Sequence, residues 1–194
     1  TPPSLGISAL DSSAGSVAAP LTGQTIASTG GSTRYSAPST LAASVNPVND
    51  APTIAALTGA PGFTENGATP VRLDTDGGVT VGDQELANNW NGATLTVQRS
   101  GTAQAEDSFS LIDDQPALPS LGVETSGANV IVHGVTVGSF TNSGGKLTVT
   151  FNGNATAASV GAVMGAVGYR NTSDAPPASA QINFTLNDQN SNVT

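Results

Sequence analysis

The sequence predicts an all-β sandwich carrying one short helix, and three observations predict it. Glycine (23) and proline (12) are abundant and, with Ser, Thr and Asn, interrupt the chain too often for long helices. Short apolar alternations recur between turn clusters such as Thr75-Asp76-Gly77-Gly78, Asn91-Gly92 and Ser143-Gly144-Gly145. Only one segment carries helical spacing. Aromatics are 4% of the 194 residues and hydrophobic residues 37%, so a sizeable core must be built mainly from Ala, Val, Ile and Leu.

Taken in order, "SLGISALD" and "TLAASVNP" are short alternations on either side of the low-complexity stretch "SSAGSVAAPLTGQTIASTGGST". After Pro52 the strand signals come quickly: "APTIAAL", "TPVRLD", "GVTVG", "ATLTVQR", "DSFSLI", "ANVIVHG", "VTVGSFT", "KLTVTF" and "AQINFTLND". Many short strands at this spacing mean packed antiparallel sheets rather than βαβ units. The exception is "NATAASVGAVMGAVGYRN", where Val160, Val163, Met164 and Val167 fall at i, i+3, i+4 and i+7. This predicts a helix over about 156–166, capped by Thr156 or Asn154, its apolar stripe facing the core and a strand following at Val167–Arg170.

Charge narrows the function. Five Lys+Arg against fourteen Asp+Glu give a net charge of −9, which repels phosphate backbones and anionic lipid headgroups and argues against nucleic-acid or membrane-surface partners. The acidic excess serves either solubility or the binding of a hard cation, which prefers oxygen ligands. There are no cysteines, so no disulfide scaffold, thiolate metal site or cysteine nucleophile is available. The Lys-poor, Thr/Ser/Gly/Asn-rich make-up fits an extracellular, cell-surface protein. No apolar run approaches the ~18 residues of a transmembrane helix. Thr1-Pro2-Pro3 reads as a mature end or as a cut inside a longer chain.

The charges also divide the chain. Residues 1–49 carry only Asp11 and Arg34, whereas ten carboxylates lie between Asp50 and Asp114. The expected organisation is a low-complexity arm over 1–49 and a sandwich over 50–194. A weak internal repeat relates the ends: laying "SLGISALDSS" on "QINFTLNDQN" puts Leu5 on Ile182, Ile7 on Phe184 and Asp11 on Asp188. On that match the arm holds the last strands of a preceding repeat, or strands donated to a neighbouring subunit. The sandwich then lacks its own last strand, leaving an edge that a tandem neighbour or a second molecule must cover in a filament.

"VNPVNDAPTI" (45–54) resembles the inter-domain joint of bacterial cadherin-like repeats, which occur in very large surface adhesins. "FTENGATPVRLD", "VTVGDQELANNWNGATLTV", "HGVTVGSF", "KLTVTFNGNATAASVGAVMGAVGYRNTSD" and "INFTLNDQNSN" resemble the bacterial relatives of chondroitin-sulfate-proteoglycan-type repeats. The likeness covers roughly 45–190. It implies a cadherin- or Ig-like β-sandwich strung end to end, a non-enzymatic structural or adhesive role, and Ca²⁺ at the joints. Carried over, the ligands are Asn49 and Asp50 from the joint, Glu65 from "FTEN", and the pair Asp83 and Glu85 from "GDQE"; Asp188 and Asp11 would serve the opposite pole. Ca²⁺ takes six to eight oxygens, which such a set with backbone carbonyls can supply. The sequence departs from a full cadherin joint: Val45 and Ala51 stand where acidic and Asn residues are usual, and the pair is Asp-x-Glu. Pro47 and Pro52, with an Asx turn at Asn49/Asp50, would stiffen the joint without any ion.

Other constellations carry less chemistry. Asp113-Asp114 has the two carboxylates of a glycosidase but reads as a solvated turn. His133, the one histidine, reads as a turn or edge residue. Trp90 is a core plug or, with nearby Asn side chains, the stacking platform of a carbohydrate-binding module that would take surface glycans. That module is the alternative to the structural role.

Overall fold

The computed structural model describes residues 4–7, 39–42, 49–86, 89–112 and 120–189. Asp11, Asp113 and Asp114 lie outside them. The chain divides into two compact units. The first holds two four-residue strands, β1 (Ser4–Ile7) and β2 (Ser39–Ala42), paired antiparallel with Leu5 opposite Leu41 and Ile7 opposite Ser39.

The second unit, Asn49–Asn192, is the sandwich. Its strands are β3 (Thr53–Ala55), β4 (Val71–Arg72), β5 (Thr80–Gly82), β6 (Thr94–Arg99), β7 (Asp107–Leu111), β8 (Val123–Ser126), β9 (Asn129–Val132), β10 (Val135–Ser143), β11 (Lys146–Phe151), β12 (Val167–Asn171) and β13 (Ile182–Asn187). One sheet runs β13-β6-β11-β10-β9-β8, all antiparallel; a second runs β4-β12-β7; β3 pairs with β5. The architecture is the expected all-β sandwich with one short helix.

Period-two alternation sets the inner faces. Leu95 and Val97 of β6 and Leu147, Val149 and Phe151 of β11 are buried, while Thr94, Thr96 and Thr148 alternate with them on the outer face. At roughly 25 cal/mol per Å² of apolar area, each such side chain adds about 1.5–3 kcal/mol when fully buried. Trp90 sits in the same core with no exposure at all.

The helix α1 (Ala157–Gly165) forms where expected. Thr156 is its cap: the Thr156 hydroxyl accepts from the Ser159 N–H, and Ser159 Oγ accepts from the Thr156 N–H, a reciprocal capping box. The helix packs so closely on β5 that a Cβ on Gly161 would lie 2.4 Å from the Val79 carbonyl oxygen.

Two elements depart from the sequence reading. Strand β8 was not anticipated, because "VETS" presents one buried side chain, Val123, followed by three exposed ones. The "APTIAAL" strand is shorter than its alternation suggests: Ala56 has φ of 57°, which ends the extended backbone at Ala55.

Residues 49–85 form one long irregular hairpin. The Asp50 N–H reaches Glu85, Thr53 faces Gly82, Ala55 faces Thr80, the Thr75 N–H donates to the Thr58 carbonyl, and the tip closes by Gly67 N–H to Thr64 O. The open end therefore carries Asp50 and Glu85, and the tip carries Glu65 and Asn66.

A buried polar cluster ties both sheets together near the tip. Arg99 of β6 makes a two-pronged contact with Asp107 of β7, at 2.8 and 2.5 Å. Tyr169 Oη and Asn171 Nδ2 of β12 each donate to Asp107 Oδ1 at 2.7 Å. Burial alone would raise the Asp107 carboxyl, but hydrogen bonds from Arg99, Tyr169 and Asn171 outweigh it and hold the group below the usual range. Burial, then the Asp107 carboxylate, push the Tyr169 phenol up.

Candidate functional site

The open end of the hairpin is the joint pole. Strand β5 stops at Gly82, and the chain turns through Asp83-Gln84-Glu85-Leu86. Asp83 Oδ1 makes that turn, accepting from the N–H groups of Glu85 at 2.9 Å and Leu86 at 2.8 Å. Its other oxygen, Oδ2, is buried without a hydrogen-bond partner. Across the hairpin, Glu85 Oε2 accepts from the Asp50 N–H at 3.2 Å. Asn49, one residue earlier, likewise buries its Oδ1 with no partner.

Two buried, unsatisfied acceptors on facing segments need a physical account. Leaving one such group unpaired costs about 1–3 kcal/mol. A hard cation or a donor would relieve that cost, and side-chain oxygens of Asn49, Asp83 and Glu85 are the kind of donor set Ca²⁺ takes. The chemistry of this pole fits a calcium ion whose remaining ligands are carbonyls, water or groups from elsewhere. Among the described residues no group of three or more His, Cys, Asp or Glu side chains is close enough to hold a metal unaided.

The structure thus brings Asn49, Asp50, Asp83 and Glu85 to one end. Asp188 follows β13 at the end where β6 begins, which the 83–93 segment joins to β5, so its nearly buried carboxyl shares that pole rather than the opposite one. Glu65 does not join them: it is exposed at the hairpin tip, a hairpin's length away, because Asn66 and Gly67 close the turn there. The tip is fixed by Asn66, whose Nδ2 donates to Asp174 at 2.9 Å.

The other candidates resolve simply. Trp90 is wholly buried and so offers no stacking face. His133 and Gly134, with φ of 49° and 79°, form the two-residue turn between β9 and β10, and the imidazole covers Gly122. Among the described residues no helix is long and apolar enough to cross a membrane.

A second feature is a groove between β3 and β13; the sequence reading expected an uncovered edge after the second-last strand but not the β3 wall that makes it a groove. About 500 Å³ lies between Ile54–Leu57 and Ile182–Thr185. It continues into a cleft of about 970 Å³ floored by Phe63 and Tyr169, whose rings meet edge to face at 5.1 Å. The signal was present in "INFTL", whose Ile182 and Phe184 are only half-buried although β13 is a sheet strand. No family model, curated protein or solved structure matches this chain.

Proposed function

We propose that this chain is a non-enzymatic structural or adhesive module of an extracellular, cell-surface protein, repeating end to end through a joint stiffened by Pro47, Pro52 and Ca²⁺. The observation that carries the reading is the pair of buried, unpartnered oxygens, Asn49 Oδ1 and Asp83 Oδ2, beside the Asp50–Glu85 contact. The side-chain oxygens of Asn49, Asp83 and Glu85 would hold the ion, with Asp50 tied to Glu85 through its backbone N–H and Asp188 on the same pole. The ion would fix the angle at which the chain enters β3. The joint motif's resemblance to cadherin-like repeats supports the same reading, and neighbouring repeats or copies are the partners it calls for.

The test is thermal unfolding of the whole chain in EDTA and in ~10 mM Ca²⁺, above the roughly 10⁻⁴–10⁻³ M dissociation constants of extracellular calcium modules. Ligand at about ten to one hundred times its dissociation constant adds ~1.4–2.7 kcal/mol, a rise of several degrees in midpoint. A rise that Asp83→Asn abolishes supports the calcium joint. Equal midpoints in the two buffers remove the ion from the proposal.

A further inference from the structure

We infer that the groove beside β13 is a strand-acceptor site, and that its occupant is β2 of a second copy of this chain. The inference rests on the end-to-end reading above and names the contact that would make it.

Among the described residues β13 pairs on one edge only, with β6, and β3 pairs on one edge only, with β5. The free edges of β13 and β3 face each other across a gap about 500 Å³ in volume. Ile54, Leu57, Phe63, Ile182 and Phe184 are packed against the core yet only partly buried. A groove with unpaired backbone on two sides and apolar side chains beneath accepts an extended strand.

The occupant is identified by a pairing already in the chain. β1 matches β13 in pattern, with Leu5 on Ile182 and Ile7 on Phe184, and β1 pairs with β2. Transferring the observed register places Leu41 opposite Ile182, Thr40 opposite Asn183 and Ser39 opposite Phe184. The alternation agrees: Ile182 and Phe184 turn toward the groove while Asn183 and Thr185 are exposed. Leu41, the side chain this register aims inward, is 63% exposed, the most exposed large hydrophobic group among the described residues. β1 is a stand-in for β13: an isolated two-stranded hairpin is marginal in water, whereas β13 adds a sandwich core beneath the incoming strand.

Direction selects a second copy. β13 runs from the Arg99 end of β6 to its Thr94 end, toward the joint pole. An antiparallel β2 therefore leaves the groove at the opposite pole, near Gln181 and the Glu65 tip. To fill its own groove the chain would have to return to Asn49 at the joint pole. From Ala42 to Asn49 it reaches at most about 25 Å fully extended, barely more than the roughly 20 Å along β13 alone at ~3.4 Å per residue, so no residues are left to reverse direction at the end of β2 and run back. A donor from another copy instead continues outward and sets its own joint pole against the acceptor's Glu65 tip. Repetition gives a head-to-tail filament.

The absence of native cysteines makes disulfide trapping in the whole chain clean. Thr40→Cys with Asn183→Cys, oxidised under native conditions, is expected to give a ladder of dimers and higher species on a non-reducing gel. Moving the second cysteine out of register, Thr40→Cys with Thr185→Cys, should lower the yield at least ten-fold, because diagonal Cβ atoms lie beyond disulfide reach. Adding Leu41→Asp to the in-register pair should also remove the ladder. All positions are exposed, and each reduced variant is first checked for an unchanged unfolding midpoint. No ladder, a ladder indifferent to register, or closure only within monomers overturns the proposal. A calcium-dependent midpoint that survives any of these failures leaves the joint standing; a register-specific ladder without a calcium effect leaves the strand site and removes the ion.

Discussion

The Asp50 N–H and Glu85 Oε2 meet at 3.2 Å across the open end of a hairpin whose tip carries Glu65. The joint residue is thereby anchored to the turn following β5, and the same turn is organised by Asp83. Asp83 has two separable oxygens: Oδ1 caps the turn, and Oδ2, buried without a hydrogen-bond partner, would be the ion's ligand in the proposed joint. Asp83→Asn keeps an oxygen for the cap and weakens cation binding, so in EDTA it should cost well under 1 kcal/mol. Asp83→Ala loses the cap as well and should cost about 1 kcal/mol even in EDTA. Urea unfolding of both variants with and without calcium separates the roles; equal losses in EDTA would refute the division.

The Arg99–Asp107–Tyr169–Asn171 cluster predicts stability lost at both ends of the pH scale. The folded Asp107 carboxyl titrates below its unfolded value, so the ion pair's contribution is present above the ordinary ~3.9 and is lost as pH falls through the folded value. The folded Tyr169 phenol titrates above its unfolded value, so its contribution is present below ~10 and is lost as pH rises through the folded value. Tyr169→Phe should flatten the alkaline limb and leave the acid limb in place. Asp107→Ala leaves the buried Tyr169 hydroxyl and Asn171 amide without their acceptor while the partly exposed Arg99 can turn to water, and should cost about 1–3 kcal/mol at neutral pH.

Much of this architecture was legible because alternation reports directly which face is buried. The first five residues of β6, Thr94 to Gln98, alternate half-buried and buried, and the helix was found from Val160, Val163 and Met164 with Thr156 ahead of them. β8 was not legible, since a strand with one buried residue leaves no periodic trace. At the candidate site, local chemistry could be read and long-range placement could not. "GDQE" reads as a pair of ligand carboxylates; that Asp83 Oδ1 also accepts from the Glu85 and Leu86 N–H groups in an Asx turn is a finding of the structure. Glu65 looked equivalent to Asp83 as a ligand, yet only the pairing of β3 with β5 determines that they stand at opposite ends of one hairpin. The groove beside β13 depends on which strand edges stay unpaired, and that follows from the sheet order rather than from any segment.

Trp90, the sole tryptophan, is fully buried and makes a built-in probe. Its emission should be blue-shifted in the folded chain and unmoved by added oligosaccharides, since no face of the ring is open. Its indole N–H has no hydrogen-bond partner. Trp90→Phe removes that unsatisfied donor along with the ring area, and should cost clearly less than the roughly 3–5 kcal/mol of Trp90→Ala. A sugar-dependent emission shift would reopen the carbohydrate-binding alternative.

Helix α1 offers a contrast between capping and packing at neighbouring positions. Thr156→Ala removes the hydroxyl that accepts the Ser159 N–H, and should cost about 1 kcal/mol. In an exposed helix Gly161→Ala would stabilise, because alanine is the better helix former by about 1 kcal/mol. Here the new methyl would stand 2.4 Å from the Val79 carbonyl oxygen, and backbone on the facing strand cannot rotate away. The sign therefore reverses: Gly161→Ala should destabilise by roughly 1–3 kcal/mol, as overpacked sites do. Chemical denaturation of the two single variants decides it, and a stabilised Gly161→Ala chain would mean that α1 does not lie against β5 at this distance.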